Sequence, residues 1–403
     1  MQAIVLIVLS MALCYAQVHT PYNDLPNRIG NFSIEALYHT SRTLQDGQNI
    51  IMSPLTIWTA LAAIAEGAQG GTREEIFNAI RWRGTKYISN SYREISQWLK
   101  VNTNTVKLTK LNTMFVDQKS LLLRHYQDLA KVNYEMDVIS LNFSDSVVVA
   151  NVLNRAIADF TNGVIKQIVE PDYFQNSNMV LVSAIYFKGQ WSVPFNTSET
   201  KRAPFYDSEG QTIGDVNMMH KRYTYPLSNF RQLQARVIEL PYGDRNRMSM
   251  FVMLPNPGVS VENMLRNMQN LNLDSFFEEM RISKEEYPDD EVDCFLPRFK
   301  VESEIDLVDV LQKNFGITDL FDPKNARLGL IARTPVYVSK MFHRAQIEVT
   351  EEGTTAAAVT VAEFKSRSGI VTFKADRPFV YLIVEKETNT IVICGLYKQP
   401  SLY

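Results

Sequence analysis

Glu351-Glu-Gly-Thr-Thr-Ala-Ala-Ala-Val-Thr-Val-Ala-Glu-Phe-Lys-Ser-Arg-Ser368 joins two opposed features. From Gly353 to Ala362 it holds no charge and no proline. In an extended chain successive side chains face opposite ways. Thr354, Ala356, Ala358, Thr360 and Ala362 then share one face, and Thr355, Ala357, Val359 and Val361 the other. One face is uniformly small; the other carries the β-branched bulk that suits strands. Yet the run ends on Lys365 and Arg367, a trypsin-type cleavage signal, with Gly369 behind it. An exposed segment fit for burial in a sheet is an aggregation hazard, so a chain that keeps one uses it.

Outward from this stretch the composition is that of a globular protein. The 403 residues are 45% apolar and 21% charged, ample for a large core. With 41 basic and 44 acidic residues the net charge is −3, and no block of like charge predicts a nucleic-acid or membrane partner. Met1–Ala16 has no charged side chain, an apolar run from Ala3 to Leu13, and small residues at Cys14 and Ala16. It reads as a secretory signal peptide over residues 1–16, too short to span a bilayer, with a secreted domain over 17–403. Asn31, Asn142 and Asn196 each begin an N-glycosylation triplet, in keeping with secretion. Cys14 leaves with the signal. Cys294 and Cys394 remain, either as a disulfide or as buried free thiols, since both lie in apolar strand-like runs.

Helical spacing covers Asn31–Thr43. Ser53 and Pro54 open a helix that is apolar on nearly all sides and stops at Gly67, and Thr72 with Glu75 forms a capping box for the next. Further helices are expected over 92–101, 123–132, 147–161, 261–273 and 307–315. Strands are expected over 111–116, 179–187, 237–240, 248–254, 299–301, 336–350, 379–385 and 391–397. Pro204–Phe230 reads as turn-rich with short strands, and the acidic Lys284–Asp293 as a solvated loop without calcium-site spacing. No linker, repeat or composition break divides the chain, so a single α+β domain is expected.

Enzyme signatures are missing. The sequence has no G-x-S-x-G, P-loop, H-E-x-x-H or G-x-G-x-x-G. Its five histidines (His19, His39, His125, His220, His343) show no metal spacing, and His343, inside the long strand, reads as a hydrogen-bonded core residue. No cofactor is expected.

Several spaced segments, in order, carry a resemblance. They are Asn49-Ile-Ile-Met-Ser-Pro-Leu through Glu66-Gly-Ala-Gln-Gly-Gly-Thr72, Leu181–Phe195 with Tyr186-Phe-Lys-Gly-Gln-Trp191, and Phe295-Leu-Pro-Arg-Phe. Gly316-Ile-Thr-Asp-Leu-Phe321, Ser339-Lys with His343 and Glu351-Glu-Gly-Thr354, and Arg377-Pro-Phe379 through Gly395 complete them. On these residues the chain resembles a serpin over essentially all of its mature length. The resemblance implies a fold of three β-sheets and about nine helices with an exposed reactive-centre loop at about 351–372. It also implies a job for that loop. A target protease cleaves it and is held as an acyl-enzyme; the freed loop then enters the main sheet as a new strand.

Glu351, Glu352, Gly353, Thr354, Thr355, Ala356, Ala357 and Ala358 would be the hinge. Insertion demands small, uncharged, proline-free residues on the face packed into the sheet, and Thr354–Ala362 meets that demand. About a dozen new ladder bonds at roughly 1 kcal/mol each would supply on the order of 10 kcal/mol. The family's specificity residue lies 14 positions after the hinge glycine, which is Arg367; Phe379 follows 12 positions later, as in the commonest family loop. The implied reactive bond is Arg367–Ser368, with Lys365–Ser366 as the alternative. The implied partner is a trypsin-like, Arg-specific serine protease held covalently by a monomeric inhibitor.

The implied sheet-opening region comprises Ser53, Thr56, Ser183, Trp191 and His343. Ser183 stands where the family usually has the Asn that bonds the strand histidine. Arg81, Arg83, Lys86, Arg93, Lys100, Lys107 and Lys110 are scattered, so no glycosaminoglycan cofactor is expected. The loop composition is similar to secreted invertebrate serpins of clotting, Toll-type or melanisation cascades. Two other readings stay open: a non-inhibitory serpin acting as carrier or storage protein, and, remotely, a hydrolase with a dispersed triad.

Overall fold

Ser53 and Pro54 begin the central helix as their chemistry requires. The computed structural model describes residues 24–43, 47–83, 88–160, 163, 167, 169–353 and 370–403. After α1 (Leu25–Thr43) and a short β1 (Ile50–Met52), the Ser53 side chain accepts from the Thr56 N–H and Pro54 fills the first turn of α2 (Pro54–Gly67). Every residue of α2 except Glu66 is buried. The expected capping box of Thr72 and Glu75 does not form, because α3 (Gly70–Ala79) is capped by Gln69 and starts three residues earlier than a Thr72 cap would place it. The Thr72 hydroxyl instead accepts from the Arg327 N–H (3.0 Å). The Glu75 carboxylate accepts from the Thr318 N–H (2.7 Å) and hydroxyl (2.8 Å) and the Asp319 N–H (2.8 Å). Both side chains staple α3 to a distant turn.

The chain continues through α4 (Ile88–Trp98), β2 (Val106–Asp117), α5 (Arg124–Tyr134), β3 (Asp137–Leu141), α6 (Ser146–Phe160) and β4 (Met179–Gly189). The stretch expected to be turn-rich holds β5 (Lys201–Tyr206), the twelve-residue β6 (Thr212–Tyr223) and β7 (Leu227–Phe230). The hairpin of β8 (Ala235–Tyr242) and β9 (Met248–Pro255) forms as expected. The single helix expected over 261–273 is two, α7 (Val261–Met268) and α8 (Leu273–Glu286), because Asn272 caps a new start by accepting from the Ser275 N–H at 2.9 Å. That second helix and the fifteen-residue β10 (Val292–Asp306) take up both ends of the expected acidic loop. Then follow α9 (Val308–Phe315), β11 (Val338–Val349), β12 (Val371–Lys374), β13 (Phe379–Glu385) and β14 (Thr390–Tyr397). Nine helices thus form among the described residues.

The strands make three sheets, two of which share β10. One is β1-β14-β13-β9-β8-β7, and its strands β9, β13 and β14 are buried throughout. The main sheet is β3-β2-β4-β11-β10. The half of β10 from Val292 to Arg298 leaves it to pair with β6 and, through Phe295, with β12, while Phe299–Asp306 pairs with β11. In the main sheet alternate residues face opposite layers. Leu181, Ile185, Met341 and Ala345 join the large core above α2, whereas Val180, Val182, Ala184 and Phe342 pack with Val149, Leu153 and Ile157 under α6.

Glu75→Ala should destabilise the protein by about 1–2 kcal/mol, because it strips acceptors from two backbone N–H groups and a hydroxyl. A urea unfolding midpoint lowered at unchanged slope would show it; an unchanged midpoint would refute the staple.

Candidate functional site

β4 and β11 run side by side and parallel, paired from Met179/Val338 to Tyr186/Gln346. Ser183 lies opposite His343 in this register. His343 is fully buried, and burial pushes its pKa down to about 3. Its Nε2 accepts from the Ser53 main-chain N–H at 2.8 Å. A backbone N–H only donates, so the ring proton sits on Nδ1 and is donated to the Ser183 hydroxyl oxygen at 2.7 Å. The shorter serine therefore bonds the strand histidine directly.

Ser53 donates its hydroxyl to the Val392 oxygen (2.7 Å), and the Thr56 hydroxyl donates to the Ser53 oxygen (3.0 Å). One polar chain thus ties β4, β11, the first turn of α2 and β14 together beneath the seam. Asn112 joins it. This residue of β2 faces Ser183 in the β2–β4 register and donates Nδ2 to the Thr56 oxygen at 3.1 Å, while its buried Oδ1 has no partner among the described residues. Sequence reading missed Asn112. Its signal is a lone amide in the otherwise apolar or β-branched run Leu111–Val116.

The Ser183–His343 pair has the elements of a nucleophile and base, but its proton runs the wrong way. The imidazole donates to the hydroxyl, its other nitrogen is occupied by Ser53, and both side chains are buried. No group of three or more His, Cys, Asp or Glu side chains that could hold a metal occurs among the described residues. Cys294 and Cys394 are free and buried, which settles the disulfide alternative; burial pushes both thiols up.

At the upper end of the seam β11 leads into a tight turn. The Gly353 N–H donates to the Thr350 oxygen (3.1 Å), and the Thr350 N–H donates back to the Gly353 oxygen (2.9 Å). Gly353 has φ +100°, and a Cβ there would lie 2.3 Å from the Gly189 oxygen and 2.6 Å from the Trp191 nitrogen, so only glycine fits. Trp191 holds the turn from β4's side. Its N–H donates to the Glu352 oxygen (3.1 Å) and its indole N–H to the Thr350 oxygen (2.9 Å), while its ring stacks on Tyr242 at 4.3 Å. The Phe195 N–H donates to the Glu351 oxygen at 2.8 Å. The Glu351 carboxylate is buried, accepts from the Thr200 hydroxyl (2.7 Å) and lies 3.6 Å from Arg298 Nη1. Thr200 and Arg298 were not foreseen, because both reach Glu351 from distant elements.

Ser53, Thr56, Ser183 and His343 are therefore brought together, and Trp191 meets Glu351, Glu352 and Gly353 at the seam's mouth. Thr354, Thr355, Ala356, Ala357, Ala358, Arg367 and Ser368 lie outside the described residues, as does the segment 1–16. Of the glycosylation triplets, Asn196 is exposed and caps a short turn, while Asn31 and Asn142 are half-buried.

The family model described as Serpin (serine protease inhibitor) matches residues 27–400. Human Serpin B11 is 32% identical over 381 residues, covering 88% of this chain and 94% of that protein. Among solved structures, Manduca sexta serine protease inhibitor (serpin)-12 superposes with TM-score 0.81 at 23% identity, over 93% of this chain and 99% of that one. Human thyroxine-binding globulin, solved in complex with thyroxine, also gives 0.81, at 24% identity over 95% of this chain and 100% of that one.

Protonation of His343 sets a pH test. The unfolded chain takes up this proton near the ordinary value of 6.5, the folded chain only at about 3. Stability from this group is complete above 6.5 and falls as pH drops toward 3, by about 1.4 kcal/mol per pH unit. Urea unfolding at pH 7, 6 and 5 should show His343→Gln losing less stability on acidification than the parent. Equal losses would overturn the assignment.

Proposed function

The chain belongs to the serpin family, and from that premise we propose that it is a secreted suicide-substrate inhibitor of trypsin-like, Arg-specific serine proteases. The family groups it with protease inhibitors rather than with enzymes. The observation that carries the proposal is the closed parallel pair of β4 and β11, with β11 leading through Gly353 into the small-residue stretch. A strand folding back from Gly353 between those two strands runs antiparallel to both. Insertion then exchanges one parallel ladder for two antiparallel ladders, the more stable pairing.

The protease serine attacks the Arg367 carbonyl. The Arg367–Ser368 amide breaks, the Ser368 amine takes a proton and leaves, and an ester joins Arg367 to the protease. Insertion of Thr354–Ala362 carries that ester away from the loop's starting position before water can attack it. The small face formed by Thr354, Ala356, Ala358, Thr360 and Ala362 meets the packed interior. The leader at residues 1–16 directs the chain outside the cell, where Asn196 is the most accessible triplet for a glycan. The inhibitor works as a monomer and without a polyanion. Arg81 faces Glu35 at 2.8 Å, and Lys100 and Lys110 share Glu135 at 3.0 and 3.5 Å, so three of the seven scattered basic residues are already matched.

Mixing with trypsin should give a covalent complex that survives denaturing electrophoresis. Arg367→Ala should abolish it, and Thr354→Arg should turn the chain into a substrate that is cut and released. Cleaved parent chain with no complex would sink the proposal and favour a non-inhibitory carrier.

A further inference from the structure

The segment after β14 is pinned along its length. Asn49 accepts from the Lys398 N–H (2.7 Å) and the Gln399 N–H (2.8 Å) and donates to the Gln399 oxygen (2.8 Å). Pro400 presses on β6, where a Cβ on Gly214 would lie 2.6 Å from its ring. The Ser401 N–H donates to the Tyr397 hydroxyl at 3.1 Å. Tyr403 closes the run against three strands at once. Its main-chain oxygen accepts from Asn217 Nδ2 of β6 (2.9 Å) and Arg298 Nε of β10 (2.7 Å), and its hydroxyl donates to Glu348 of β11. Its ring lies 5.8 Å from the Arg298 guanidinium carbon, within cation–π range.

We propose that Tyr403 is a positioning residue for loop insertion: it fixes the Arg298 guanidinium against the hinge carboxylate of Glu351 and so slows the opening of the sheet. The proposal rests on the inhibitory reading given above. A free arginine side chain loses considerable rotamer entropy on pairing. One already held at Nε and over a ring loses less, so its remaining N–H groups meet Glu351 more often. Without that hold, the partly exposed Arg298 turns to water and the buried Glu351 keeps, among the described residues, Thr200 as its side-chain partner. A buried carboxylate deprived of its cation raises the energy of the closed form and lowers the barrier to leaving it. Tyr403 also ties the end of β11, at Glu348, to β10 and β6, the side of the seam that bears the hinge. The hydroxyl proton is firmly held, its pKa pushed up to about 12 by partial burial and the bond to Glu348.

Opening can be read without a protease, as uptake of a labelled peptide with the sequence Thr354–Ala362 by the intact full chain. Tyr403→Ala and Arg298→Gln should each speed uptake by about three- to tenfold, and the double variant should be no faster than the quicker single one. Both variants keep the main-chain oxygen that holds Arg298 Nε, and Tyr403→Phe also keeps the ring over the guanidinium, so it should stay nearer the parent than Tyr403→Ala. Rates that multiply in the double variant, or unchanged uptake despite a lower melting temperature, would overturn the proposal. Failure of the parent to trap trypsin would strike the inhibitory reading alone, because peptide uptake still reports on the strap.

Discussion

A neutral histidine holds the main sheet closed. His343 must accept from Ser53 and donate to Ser183, and only the uncharged ring with its proton on Nδ1 does both. Burial enforces that state. Two strands, the first turn of the central helix and, through Ser53, a strand of the neighbouring sheet therefore meet at one ring. Because β4 and β11 run parallel, their ladder is the weaker kind, and the polar chain beneath it adds a specific lock.

The mouth of the seam is built differently. There the contacts are main-chain bonds from Trp191 to Glu352 and from Phe195 to Glu351, the Trp191 indole N–H bond to the Thr350 oxygen, and the buried Glu351 carboxylate. Gly353 sits so close to the Gly189 oxygen and the Trp191 nitrogen that no side chain is tolerated. Lock and mouth are joined by the strand β11 and, among the described residues, share no side chain. Opening can thus begin where the hinge is anchored and reach His343 second. Arg298, held by Tyr403 on one side and facing Glu351 on the other, ties that anchor to a segment remote in sequence.

Much of this was legible in the chain. Ser53 and Pro54 announced the start of the buried helix. Ser183, His343 and Trp191 were each picked out from spaced motifs. Less legible were elements whose pattern is diluted by partners elsewhere. β6 and β10 run on past their apolar stretches because half of each is paired in a sheet open to solvent on one side, so polar residues such as Lys221 and Lys300 are tolerated mid-strand. Thr72 and Glu75 have the spacing of a cap, yet they serve the backbone of a turn more than two hundred residues away.

The chain alone determined the properties that a local stretch can carry: helix starts, and the lack of charge and proline from Thr354 to Ala362. These follow from side-chain size, charge and backbone preference, which need no partner to be read. The tertiary structure alone decided which polar groups meet. Asn112 opposite Ser183, Thr200 and Arg298 at Glu351, and Tyr403 across β6, β10 and β11 depend on strand register and on where distant segments cross. Hydrogen bonds and ion pairs act over a few ångströms, and such distances exist only once the strands have been paired and the sheets packed.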